Sequence, residues 1–147
     1  MSVERHGGCS CGELRYTFSC DILSCYACHC LDCQTRSGSA FTLSAIVPAS
    51  ALSVTKGIPK KVSWEVAIST MCSNCGIHLW SIPNSMPDFA TIRVGTLDDT
   101  TWVNPVAHIW TVSAQSWVRF NGNAKQFARQ PKDPKELLKL WAQRLWP

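Results

Sequence analysis

The chain has 147 residues, 46% hydrophobic and 16% charged, the size and balance of one globular domain able to bury its own core. No stretch approaches about eighteen consecutive apolar residues, which argues against a membrane-spanning helix, and Met1 to His6 carries no apolar signal segment, so a reducing, cytoplasmic setting is expected. The formal net charge of +4 comes from residues 125–147, with six Lys/Arg against two Asp/Glu, while residues 1–124 hold eight of each; no nucleic-acid partner is expected from so local an excess.

Taken in order, His6-Gly7-Gly8-Cys9-Ser10-Cys11-Gly12 reads as a glycine-framed turn. Glu13 to Ser19 alternates, with Leu14, Tyr16 and Phe18 apolar, which predicts a half-buried strand. Cys20 to Gly38 reads as a cysteine-rich loop with a short helical turn. Phe41 to Val47 and Leu52 to Lys56 are expected strands, ended by Pro48 and Gly57. Lys61 to Ile68 alternates again, placing Val62, Trp64, Val66 and Ile68 on one face. Cys72-Ser73-Asn74-Cys75-Gly76 has the form of a zinc-knuckle turn. Strands are predicted over Ile77 to Ile82, Phe89 to Val94 and Val106 to Val112, with a last short one over Trp117 to Phe120. Asp133-Pro134-Lys135-Glu136 is a helix start, with Asp as N-cap, Pro first and Glu third. Leu137, Leu138, Leu140, Trp141, Leu145 and Trp146 follow at near-helical spacing. The organisation expected is a zinc-binding domain over 1–124, mainly β, with a basic linker and an amphipathic helix over 125–147 packed on it.

Nine cysteines in a reducing compartment read as metal ligands or redox groups rather than disulfides. Seven of them fall into three close groups: Cys9-x-Cys11, Cys28-x-Cys30-x-x-Cys33 and Cys72-x-x-Cys75. Structural zinc sites are usually closed by four ligands, and catalytic ones keep three plus an exchangeable position. On that count Cys9, Cys11, Cys72 and Cys75 form a closed structural zinc site. Cys28, Cys30 and Cys33 form a second, three-thiol site, which Cys25 or His29 could still close into a structural one. Two Zn²⁺ per chain are expected. His108 is the candidate for proton transfer. Ser37, Gly38 and Trp110 are candidates for substrate binding. Cys20 and Cys25 read as packing residues.

These residues together resemble the glutathione-dependent formaldehyde-activating enzyme family, which includes centromere protein V. The motifs are Gly7-Gly8-Cys9-Ser10-Cys11-Gly12 with Arg15-Tyr16, Cys28-His29-Cys30-Leu31-Asp32-Cys33 with Ser37-Gly38, and Cys72-Ser73-Asn74-Cys75-Gly76. Gly95-Thr96-Leu97-Asp98-Asp99, then Pro105, His108-Ile109-Trp110 and Trp117, complete them. The resemblance implies a β-tent of short antiparallel sheets around a structural zinc, and the same division of the cysteines. It implies a carbon–sulfur lyase acting on a thiol adduct or small carbonyl compound; the namesake reaction joins glutathione and formaldehyde. The chain departs from the pattern where Ile68-Ser69-Thr70-Met71 runs directly into Cys72 with no arginine. That departure suits an alternative, a zinc enzyme performing isomerisation, elimination or cyclisation on a bulkier metabolite. A second alternative is a non-catalytic zinc scaffold. The expected partner is a small molecule, and a homodimer is possible.

Overall fold

Alternation decides the first strands. Glu4–Gly8 (β1) and Arg15–Ser19 (β2) pair antiparallel, and β2 turns Tyr16 and Phe18 inward, leaving Arg15 and Thr17 half-exposed. The computed structural model describes residues 2–145, so Trp146 of the predicted helix lies outside the described residues. The chain divides into two compact units, Met1–Ile22 with Ile46–Trp102, and Leu23–Ala45 with Val103–Pro147.

In the first unit, β1 and β2 form a three-stranded antiparallel sheet with Ser53–Lys56 (β5). Pro59–Ser63 (β6), Ala67–Cys72 (β7), His78–Pro83 (β8) and Phe89–Arg93 (β9) form an antiparallel meander. Four family-motif residues form two ties here. Arg15 pairs with Asp98 through both guanidinium nitrogens, Nη1 at 3.0 Å from Oδ1. Thr96 Oγ1 donates to Arg93 O at 2.7 Å and therefore accepts the Tyr16 hydroxyl at 2.8 Å.

In the second unit, Ser24–Cys28 (β3) lies beside Ala107–Ile109 (β10), and β10 beside Lys125–Gln126 (β11). Both of these pairings are parallel. Strand β4 (Thr42–Pro48), whose residues 42–45 belong to this unit, flanks β3 on its other side. Leu31–Ser37 (α1) follows β3. Glu136–Ala142 (α2) buries Leu137 and Trp141, and the Ser24 hydroxyl donates to Leu137 O at 2.8 Å.

Several sequence expectations change. The glycine-framed turn is shorter, since His6, Gly7 and Gly8 belong to β1. The expected loop over 20–38 contains a strand and a two-turn helix. The single strand over 61–68 is a hairpin that turns at Trp64, Glu65 and Val66, with Trp64 N donating to Ala67 O at 2.8 Å. Trp64, Val66 and Ile68 are exposed, so their alternation marks the outer face, not a core. The strand over 106–112 stops at Ile109, where Trp110 adopts φ 58°. Residues 117–120 form no strand, Trp117 is exposed, and β11 takes the edge place. The terminal helix begins three residues after Asp133, whose carboxylate accepts from Lys135 N at 2.9 Å, and Leu145 lies past its end, exposed.

Candidate metal centres

Four thiols meet in the first unit. The turn between β1 and β2 supplies Cys9 and Cys11, and the end of β7 and the turn after it supply Cys72 and Cys75, with all four sulfurs within 4.8 Å of one another. Cys9 Sγ is 3.4 Å from Cys11 Sγ, which is 3.7 Å from Cys72 Sγ. A tetrahedron with metal–sulfur bonds of about 2.3 Å has edges of about 3.8 Å, so the donor set fits zinc. The two turns are built alike. Cys9 N donates to Leu14 O and Cys72 N to Ile77 O, while Gly12 N returns to Cys9 O and Gly76 N to Cys72 O. Gly12 and Gly76 hold φ 77° and 75°, where a residue with a Cβ is strained.

That reversal aims peptide N–H groups at sulfur. Leu14 N lies 3.3 Å from Cys9 Sγ, and Cys75 N 3.5 Å from Cys72 Sγ. Burial pushes the Cys9 thiol up, but the Leu14 N–H and the neighbouring thiols together outweigh it and bring Cys9 down to about 6. The Ile77 N–H, followed by that of Cys11, lowers Cys75 as well. Against the Cys75 N–H, burial and the hydrogen bonds with Cys9 and Cys75 hold Cys72 up at about 11. Thiolate is the form that binds metal, so the turn geometry prepares Cys9 and Cys75 as ligands.

In the second unit Cys28, Cys30 and Cys33 bring their sulfurs within 4.8 Å. Cys28 ends β3. Cys30, extended at φ −64° and ψ 155°, caps α1 and accepts from Cys33 N at 3.3 Å. The end of a strand and the first turn of a helix thus converge on one point. A hydrogen bond with Cys33, then burial, holds the Cys28 thiol above its ordinary range, and a metal held here would release that proton.

Among the described residues, neither Cys25 nor His29 belongs to this group. Side chains alternate along a strand, so Cys25 and Ala27 leave β3 on the face opposite Cys28. Cys25 is fully buried, and burial pushes its thiol up to about 12, as befits a packing residue. Cys20 is likewise outside both groups.

His29 continues that alternation and is fully buried. Its Nε2 lies 2.9 Å from His108 Nδ1. In the parallel register His108 pairs with Ala27 and Ile109 with Cys28, which puts His108 on the face away from the cysteine sulfurs. The structure therefore joins His108 to His29, not to the three thiols. Phe41 and Phe120 enclose the pair, at ring-centroid distances of 5.0 and 5.6 Å from His29. Burial, then His108, lowers the His29 pKa, favouring the neutral ring.

The remaining candidates lie around the same loop. Ser37, one turn after Cys33, ends α1 and donates to Gln34 O at 3.4 Å; Gly38 caps the helix. Both are exposed. Trp110 follows the residue paired with Cys28 and is half-exposed, its carbonyl accepting from Ser113 N and Oγ, both at 3.1 Å. Sequence reading missed Gln34, Ser113 and Asn121, polar residues whose partners are fixed only by folding.

The family model for glutathione-dependent formaldehyde-activating enzymes matches residues 4–113. A protein of Penicillium rubens, named as a candidate enzyme of that description, is 28% identical over 88% of this chain and 64% of its own length. A like-named protein of Emericella nidulans is 35% identical over 49% of this chain and 38% of its own. The chain thus spans between about a third and two thirds of the length of these relatives. A crystal structure of a Rhodobacter sphaeroides protein shares the fold, with TM-score 0.54 at 24% identity over 68% of this chain and 91% of that one.

Proposed function

The chain belongs to the family of glutathione-dependent formaldehyde-activating enzymes, and we propose that it is a zinc-dependent, carbon–sulfur lyase-like enzyme whose reactive centre is Cys28, Cys30 and Cys33. The observation that carries this reading is a group of three thiols, where structural zinc sites take four, with Cys25 and His29 turned to the other face of β3. Cys9, Cys11, Cys72 and Cys75 are the structural zinc ligands in this reading.

A zinc ion held by the three thiols would keep a bound thiol deprotonated or polarise a carbonyl as a Lewis acid. Three thiolates make the centre net negative, which favours exchange of a fourth ligand. Ser37 and Gly38, at the end of the helix that carries Cys33, offer polar contacts to a substrate. Trp110 offers an aromatic wall. His108 acts through His29 rather than on the substrate.

Zinc analysis and product detection test the proposal. The expected result is two zinc ions per chain, loss of one in Cys30→Ser with the fold retained, and loss of thiol–aldehyde adduct formation. A single zinc in the unaltered protein, or activity undiminished in Cys30→Ser, would overturn it. A bulkier apolar substrate in place of glutathione is the second reading. It is favoured by the run Ile68 to Met71, which enters Cys72 without an arginine to pair a peptide carboxylate. Binding assays with glutathione and with apolar aldehydes separate the two.

A further inference from the structure

The polar contacts around His29 form a chain with a defined direction. Asn121 Nδ2 donates to Asn104 Oδ1 at 3.1 Å and to Pro105 O at 3.0 Å. Pro105 O can only accept, so the amide orientation is settled and Asn121 Oδ1 faces His108 Nε2, with which it makes a short hydrogen bond. Oδ1 can only accept, so His108 carries its proton on Nε2. In the neutral ring Nδ1 is then an acceptor, and His29 Nε2 donates to it at 2.9 Å. Among the described residues His29 Nδ1 then has no partner and is left as a bare, buried lone pair.

The backbone of His29 is held as firmly as its ring. Its N–H donates to Ile109 O at 3.0 Å. Its carbonyl accepts from Gln34 Nε2 and from Ser113 Oγ, each at 2.9 Å. Gln34 Nε2 also donates to Ser113 O at 2.9 Å. Four hydrogen bonds thus converge on the one residue between Cys28 and Cys30. On a strand end followed by a helix start, the φ and ψ of that residue set the separation of the flanking sulfurs.

We infer that His29, locked from behind by His108 and Asn121, is the positioning residue of the three-thiol centre. The inference rests on reading Cys28, Cys30 and Cys33 as a metal centre. Groups that orient metal ligands without touching the metal typically contribute 10–100-fold in metal affinity. His29 fills that place through the backbone, since its ring turns away from the sulfurs. The two aromatic neighbours keep water from competing for the hydrogen bonds of the ring pair.

Two measurements test this. Nitrogen-15 NMR of the histidine rings in the full chain is expected to show His29 and His108 both protonated on Nε2, with and without zinc. A proton on Nδ1 of either ring overturns the inference. Chelator competition is then run on His29→Phe and His108→Phe, which keep an aromatic ring at each site. The zinc of Cys28, Cys30 and Cys33, identified by its absence in Cys30→Ser, is expected to loosen by about 10–100-fold, while that of the other four cysteines holds. Unchanged affinity at the three-thiol group overturns the inference, as does equal loosening at both groups. Zinc bound only at the four-cysteine group overturns the metal reading, and the positioning role with it; the NMR arm separates the two failures by reading the hydrogen-bond chain without metal.

Discussion

Tyr16 is fully buried, and its hydroxyl bonds to Thr96 Oγ1. Burial pushes its pKa from 10.0 to about 12. The fold therefore prefers the neutral phenol, and its contribution is complete below about pH 10 and is lost as pH rises toward about 12. Tyr16→Phe should cost about 1 kcal/mol near neutral pH, and the gap to the unaltered protein should close by about pH 11, because phenylalanine does not ionise. Denaturant midpoints across that range check it. The pair Arg15 and Asp98 is half-exposed, and Arg15 holds the Asp98 carboxyl below its usual range. Sequence alone marked Arg15, Tyr16 and Asp98 as motif residues; their roles as ties became visible only when residues some eighty positions apart met.

At the scale of elements, cap and turn chemistry were the legible parts. Gly12 and Gly76 end the two cysteine turns in the left-handed region, as their local sequence suggested. Alternation proved ambiguous: Val62 to Ile68 has the period of a strand, yet the chain turns back at Trp64 to Val66 and faces those residues outward. Strand β3 was hidden because Ser24–Cys28 is buried on both faces and so shows no alternation. Helix α2 offers a direct test of packing. Leu137 is 4% exposed and Leu145 96% exposed. Leu137→Ala should destabilise by about 2–4 kcal/mol, and Leu145→Ala should stay within about 0.5 kcal/mol, as read by thermal or denaturant unfolding.

At the scale of the molecule, each compact unit carries its own cysteine group, so the two groups should respond differently to metal removal. The four-cysteine group ties turns some sixty residues apart, and metal binding there counts as folding energy. The three-thiol group spans six residues and closes no long loop. Graded chelation followed by circular dichroism should therefore remove one zinc with the spectrum unchanged and the second with loss of structure and a marked fall in melting temperature. Loss of structure with the first zinc would reverse the assignment. The cysteine spacings, the glycines beside them and the family motifs are local, and the sequence by itself determined from them the two cysteine groups, the mainly β fold and the terminal helix. The parallel pairing of β10 with β3, the exclusion of Cys25 and the meeting of His29 with His108 and Asn121 depend on which strand face each side chain takes. Register is set by pairing between distant segments, and only the tertiary structure decided it.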